Sequence, residues 1–371
     1  MRIAIAHDYL IQFGGAERVL LALMDAFPNA PVYTLLYDRE GMPIRIDESR
    51  IRTSWLQKLP GARRHHRYFP LLMPLAVEQL DFSGYDVVIS DTHSFTKGII
   101  TGPETLHISY CFTPTRYVWD DCHRYVREFS RLAFFKRLAP VGISYLRMWD
   151  YYASQRVNHY LTLSQVVAQR IQKYYRRPAE VLPPPVDVDR YTPGKDNDGY
   201  YLVVSRLVPY KRVDLAIDAC ERIGRTLLVV GTGPEYELLK QRAGKNTVFL
   251  GFVDDQDLPE LYGKAKALLF PQEEDFGITP LEAAAAGKPT IAYGAGGALE
   301  TIEDGVTGMF FQEQTTEALC RAIQDYEQRS WDPLVIRRHA EKYRREHFLQ
   351  AIRQKVHNQW MDFKAHNEVR V

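Results

Sequence analysis

Short apolar runs alternate with longer stretches whose apolar positions recur at helical spacing. In the first half the runs are Ile3–Ala6, Pro31–Leu36, Tyr85–Ser90, His107–Cys111 and Tyr160–Ser164. In the second half they are Tyr200–Val204, Thr226–Val230, Val248–Val253, Ala267–Phe270 and Pro289–Tyr293. Runs of this length, bounded by glycine, proline and polar residues, predict buried strands. Between them, Val19–Leu23, Val166–Tyr175 and the positions Val213, Leu215, Ala216, Ala219 and Cys220 predict helices with one apolar face. Strand and helix alternate in both halves, so the expected fold is α/β, with two doubly wound, Rossmann-like parallel-sheet domains across a cleft. The segment Val181–Asp189, with three consecutive prolines, predicts a stiff linker, and the domains are expected at 1–185 and 186–344.

One stretch organises the rest: Glu273-Glu274-Asp275-Phe276-Gly277-Ile278-Thr279-Pro280-Leu281-Glu282, closed by Gly287. It follows the apolar run ending at Phe270. Thr279 is the expected N-cap, Pro280 the first helical residue, and Glu282 the return half of a capping box in the first turn. Glu274 would then stand at the carboxyl end of a strand, where open parallel sheets bind ligands. Backbone N–H groups at Gly277, Ile278 and Thr279 would form an anion site. Two carboxylates flanking an anion site suit a ligand with hydroxyls at both ends and phosphate between them, which is the shape of a nucleotide sugar.

Seven residues separate Glu274 from Glu282, with Phe276-Gly277 soon after the first and Leu281 just before the second. This resembles the paired-glutamate signature of the retaining glycosyltransferases of family 4, which have the GT-B fold. The resemblance extends along nearly the whole chain and is closest to bacterial mannosyltransferase-like members that build O-antigen and exopolysaccharide units. It implies that Glu274 orients sugar hydroxyls and Glu282 the ribose. Arg206 and Lys211, flanking the turn after Tyr200–Val204, would hold the donor diphosphate. Val253 would lie near the base, with Phe276, Gly277, Ile278 and Thr279 completing the donor site. Gly14 and Gly15, and less directly Glu17, would lie under the diphosphate. Thr113, Arg116, Tyr117 and Trp119 fall in the family's acceptor-side motif. Phe112 replaces its histidine, and His93 is the candidate substitute. The C-terminal tail, 345–371, is expected to cross back onto the first domain.

The resemblance further implies retention by front-face attack, without a metal. The acceptor would be a glycan or a lipid-linked sugar. Asp187-x-Asp189 could be mistaken for a metal-binding pair, but it follows prolines and not an apolar strand. Two alternatives stay open: a GT-B sugar-nucleotide epimerase, and a binding or scaffold protein without activity.

Composition narrows the partners. Charged residues are 25% and the net charge is +1, so no global field favours nucleic acid. Cys111, Cys122, Cys220 and Cys320 are scattered, which fits reduced thiols in a cytoplasmic protein and not a zinc site. The N-terminal apolar run is too short for a signal peptide, and no segment reaches the ~20 apolar residues of a membrane span. Residues 54–75 interleave Arg63, Arg64, His65, His66 and Arg67 with Trp55, Tyr68, Phe69 and Leu71. That texture suits peripheral contact with an anionic membrane at the inner face of the cell, or equally a packed helix with a solvated basic face. Residues 121–160, from His123 and Arg124 to Tyr152, are expected to be amphipathic structural helices.

Overall fold

The fold was read from a computed structural model that describes residues 1–42, 46–66, 69–120, 122, 133–194 and 198–368. The expected positions Arg67, Tyr68, His123 and Arg124 lie outside the described residues. The chain forms two compact units: Met1–Pro184 with Phe348–Val371, and Pro185–His347.

The first unit is built on a seven-stranded parallel sheet in the order β3-β2-β1-β4-β5-β6-β7. Its strands are β1 (Ile3–Leu10), β2 (Val32–Tyr37), β3 (Ile51–Thr53), β4 (Val87–Thr92), β5 (Leu106–Cys111), β6 (His159–Thr162) and β7 (Glu180–Val181). The order reverses between β1 and β4, whose registers run Ile3↔Val87 through His7↔Asp91. Two expectations are corrected here. β1 does not end at Ala6 but runs to Leu10, so His7 and Asp8 are in-sheet residues with fully buried side chains. Ser164 does not end β6; it caps the helix Gln165–Tyr175, its hydroxyl accepting from the Val167 N–H. From Phe348 onward the C-terminal helix Arg345–Glu368 packs in this unit: the Phe348 ring meets Tyr110, and Arg353 donates to the carbonyls of Asp25 and Ala26.

The second unit carries a six-stranded parallel sheet in the order β10-β9-β8-β11-β12-β13. The strands are β8 (Tyr200–Val204), β9 (Thr226–Val230), β10 (Thr247–Gly251), β11 (Leu268–Phe270), β12 (Thr290–Tyr293) and β13 (Gly308–Phe311). Here the order reverses between β8 and β11. The helices Val213–Ile223 and Thr316–Glu327 bury Leu215, Ala219, Leu319 and Ile323 against the sheet residues Tyr201, Leu227 and Ile291. The stretch expected to be a bare linker is partly structured: Val181 pairs in β7, and Val188–Arg190 form a 3-10 turn.

Candidate functional site

Crevices form where a parallel sheet changes direction, because the loops leaving the two central strands turn to opposite sides. In the second unit those loops follow β8 and β11, and they carry the candidate donor residues. The turn after β8 is pinned from the neighbouring strand: Leu207 N–H donates to the Thr232 carbonyl (2.9 Å), and Glu235 N–H to the Leu207 carbonyl (3.1 Å). Gly231 has φ +128°, and a Cβ there would stand 1.8 Å from the Ser205 carbonyl oxygen, so only glycine allows this approach. Within this turn Arg206 is exposed and donates to the Tyr210 hydroxyl (3.2 Å). The 3-10 turn Pro209–Lys211 then brings Lys211 Nζ against the Glu274 carboxylate, across 63 positions of sequence. Both side chains are largely shielded, 16% and 18% exposed, so the ion pair is less screened than one on an open surface.

Glu274 is held by its backbone as well. It bridges Gly296 in parallel register, and the Gly297 N–H donates to its carbonyl (2.7 Å). A Cβ on Gly296 would lie 2.4 Å from that same carbonyl oxygen, which explains a glycine with φ +62° at this point. The helix that follows starts differently from expectation. It spans Ile278–Ala285, and its N-cap is Gly277 at φ +94°, not Thr279. Glycine alone enters this left-handed conformation without strain. Glu282 consequently falls in the second turn and is no capping-box partner. It is buried, and its carboxylate accepts from the Tyr262 hydroxyl (2.9 Å). At the other end Gly287 and Lys288 N–H groups return to the Ala284 and Ala283 carbonyls, both at 2.9 Å, a Schellman closure. Val253 follows β10 and is half-buried. Asp189 is taken by Arg344 (2.7 Å) and Asp187 faces Arg345 (3.9 Å).

The first unit repeats the arrangement at its own reversal, with residues the sequence reading largely passed over. The Asp8 carboxylate, at the end of β1's buried stretch, accepts the backbone N–H groups of His93, Ser94, Phe95 and Thr96 at 2.7–2.9 Å. The Thr96 hydroxyl (2.9 Å) adds to these, and His93 Nδ1 stands 3.3 Å away. Burial opposes this charge, but the His93 ring, the Thr96 amide and Lys97 outweigh it and hold the Asp8 pKa at about 2. Next to it, His7 is enclosed: Nδ1 meets Asp91 Oδ1 (2.8 Å), Nε2 meets the Tyr9 carbonyl (3.0 Å), and Glu17 stands 3.8 Å away. Burial works against a charged imidazole here, but Asp91 and then Glu17 raise its pKa well above the ordinary value. An imidazolium donates from both ring nitrogens, which serves Asp91 and the Tyr9 carbonyl, with Glu17 as a further counter-charge.

This network places the other candidates. Gly14 is the N-cap of the helix Gly15–Ala26 in an extended conformation, with the Glu17 carboxylate 3.3 Å from where its Cβ would be. Phe112 N–H donates to the Thr92 carbonyl (2.8 Å), so positions 93 and 112 follow adjacent strands at one edge of the sheet. His93 is partly exposed there. Thr113 is buried and its hydroxyl has no partner. Arg116 and Tyr117 are half-buried in a 3-10 turn. Trp119 is tied down, donating to Asp150 (2.8 Å) and stacking on Tyr174. Asp150 also receives the buried Lys97 (2.6 Å) and the Thr115 hydroxyl (2.7 Å). The only sequence signal for this cluster was acids and a histidine abutting apolar runs at Ile3–Ala6 and Tyr85–Ser90.

Two family models match the chain in succession: Glycosyltransferase Family 4 over residues 13–190 and Glycosyl transferases group 1 over residues 188–347. A GDP-mannose-dependent alpha-(1-6)-phosphatidylinositol monomannoside mannosyltransferase of Mycolicibacterium smegmatis is 33% identical over 176 residues, 39% of this chain and 46% of that protein. A glycogen synthase of Pseudomonas savastanoi is 37% identical over 35% of this chain and 29% of its own length. The match thus spans about half the length, or less, of these curated relatives. Among solved structures, HepE of Anabaena in complex with UDP aligns with a TM-score of 0.68 at 17% identity, covering 96% of this chain and all of that one. The sucrose-phosphate synthase of Thermosynechococcus elongatus aligns with a TM-score of 0.70 at 17% identity, covering 98% of this chain.

Proposed function

Because the chain belongs to the family 4 glycosyltransferases, with their GT-B fold, we propose that it is a retaining enzyme moving a mannosyl group from GDP-mannose to an oligosaccharide or lipid-linked acceptor. The observation that carries this reading is the pairing of Lys211 with Glu274 at the reversal of the second sheet, beside the open turn of Arg206. A cation for a diphosphate and a carboxylate for sugar hydroxyls share one place there. Arg206 and Lys211 neutralise the charge that develops on the leaving diphosphate, aided by the helix start at Gly277–Thr279. Glu274, released from Lys211 when the diphosphate takes the ammonium, orients the sugar. Glu282, fixed by Tyr262, meets the ribose.

On the acceptor side, His93 takes the place that Phe112 cannot fill. Its Nδ1 faces ionised Asp8, which favours the tautomer with Nε2 as an acceptor for a sugar hydroxyl. Thr113, Arg116 and Tyr117 line the same sheet edge, and Trp119 buttresses them. The reaction needs no metal in this reading, and the acceptor is presented at an anionic membrane surface.

The donor is tested by thermal shift. GDP or GDP-mannose at ~100 times its dissociation constant should stabilise the protein by roughly 2.7 kcal/mol. A shift with uridine nucleotides and none with guanosine nucleotides would overturn the donor assignment. Transfer or hydrolysis of the bound sugar then separates an enzyme from a binding protein.

A further inference from the structure

The outer strands of the two sheets are not finished alike. β3 has three residues, with the exposed Arg52 at its centre. β7 has two, and its Glu180 carboxylate meets Lys355 and His159. β13 turns Met309 and Phe311 into the core. β10 is longer, the five residues Thr247-Val248-Phe249-Leu250-Gly251, and carries no charge. It pairs with β9 on one side and ends the sheet on the other. The Phe249 ring packs on Tyr236 at 5.5 Å, so Val248 and Leu250 take the opposite face, where they are 46% and 38% exposed. Phe252, just beyond, is 72% exposed. Proteins usually blunt an edge with charge, proline, brevity or a bulge, because an open apolar edge is a template for another strand. β10 has the register shift between Phe249 and Gly251, at one end, and none of the others.

The charges that flank β10 say which strand fits it. Lys245 precedes it, and Asp254 and Asp257 follow it, all exposed. Glu221, the acid near the lysine end, gives its oxygens to Gly244, Asn246 and Thr247. The strand is therefore basic at one end and acidic at the other. A second copy laid parallel would set lysine near lysine and aspartate near aspartate. Laid antiparallel, it sets each Lys245 near the acids of the other copy. The chain as a whole, at +1, adds little repulsion between copies. The register follows from the backbone. The Asn246 carbonyl accepts from the Leu227 N–H (2.9 Å), so it faces β9. Alternation then turns the main-chain groups of Val248 to β9 and those of Phe249 to the open edge. Phe249 is thus placed to exchange both bonds with its own counterpart across a twofold axis. Val248 then stands opposite Leu250 of the other copy, in the closer, non-hydrogen-bonded kind of pair, and the exposed side chains cover each other.

We propose that β10 joins two copies of this chain edge to edge, antiparallel about Phe249, so that their six-stranded sheets become one continuous sheet. An isologous contact uses the same edge on both copies, so it closes at a dimer and leaves no β10 edge for a third. Pairing of this kind requires neither the donor nor the reaction, and it stands or falls apart from the proposed function.

The test is sedimentation velocity of the full chain over a range of concentrations. The wild type should pass from monomer to dimer and no further. Leu250→Lys sets a charge against Val248 of the other copy, twice by symmetry, and should weaken dimerisation by at least about tenfold. Lys245→Asp alone, or Asp254→Lys alone, should each weaken it by roughly tenfold, because an attraction becomes a repulsion at both ends of the pair. The two together should restore it, since the reversed charges again complement each other. The three positions are exposed, so the unfolding midpoint of the dilute monomer should stay where it is in every variant. A wild type that remains monomeric, or assemblies that keep growing with concentration, would overturn the proposal. So would a dimer indifferent to Leu250→Lys, or a double charge variant that pairs no better than the single ones.

Discussion

Lys211→Ala is expected to lower glycosyl transfer by ~10²–10³-fold while the protein stays folded, the usual loss when one donor aimed at developing charge is removed. The leaving diphosphate gains negative charge as the sugar bond breaks, and Lys211 is the ammonium that the fold holds at the β8–β11 reversal. Lys211 is paired with Glu274. The pair keeps both groups placed at the reversal. Its removal leaves Glu274 with 18% of its side chain exposed and no cation at that position, a cost to stability of about 1 kcal/mol once solvent screening is allowed for. Glu274→Gln should likewise depress transfer, and since it spares Lys211 it should weaken nucleoside diphosphate binding far less than Lys211→Ala does. Transfer should persist in excess EDTA. A fully active Lys211→Ala variant, or activity lost in EDTA and restored by magnesium or manganese, would show that the charge is met some other way.

How much of this site was legible beforehand depends on how local its causes are. Strands such as β8 and β9 were read to the residue, because a buried parallel strand needs an unbroken apolar run and little else does. The edge strands Ile51–Thr53 and Glu180–Val181 carry no such run and were missed; pairing on one side only makes them strands. The start of the helix at Ile278 was displaced because two local signals competed. Thr279-Pro280-x-Glu282 is a good capping sequence, but Gly277 can enter a left-handed conformation that no other residue takes without strain, and Gly297 packs against Phe276 where the loop turns. The Lys211–Glu274 contact joins the loops that follow β8 and β11, two strands that only the sheet order makes neighbours. The family resemblance put both near one ligand but did not suggest that they hold each other.

The first unit was read least well, and for a single physical reason. A charged residue after an apolar run looks like the end of a strand, as His7-Asp8 did. The structure instead buries Asp8 and spends its oxygens on the loop that follows β4. Nothing in residues 93–96 announces that their amides need an acceptor 85 to 88 positions upstream.

That dependence makes Asp8 the position where stability should be most sensitive. Asp8→Ala removes the acceptor for four backbone N–H groups, those of the buried Ser94, Phe95 and Thr96 and of the partly exposed His93. Breaking a buried charged partnership of this kind typically costs ~3–5 kcal/mol, and each orphaned donor adds to it. Asp8→Asn should recover little, because its amide would point hydrogens at other hydrogens. The effect must also depend on pH in a fixed direction. Asp8 has a folded pKa of about 2 against an ordinary value of 3.8, so the folded state favours the ionised form. The stability it contributes through ionisation, ~2–3 kcal/mol, is complete above about pH 5 and declines as pH falls through 3.8 towards 2. Urea midpoints of wild type and Asp8→Ala should therefore lie far apart at pH 7 and draw together as the pH is lowered towards 3. Hydrogen exchange at Ser94–Thr96 should accelerate in the variant before the global transition, since these amides lose their acceptor first. Equal midpoints at pH 7, or a gap that widens on acidification, would mean that Asp8 does not hold the loop that carries His93.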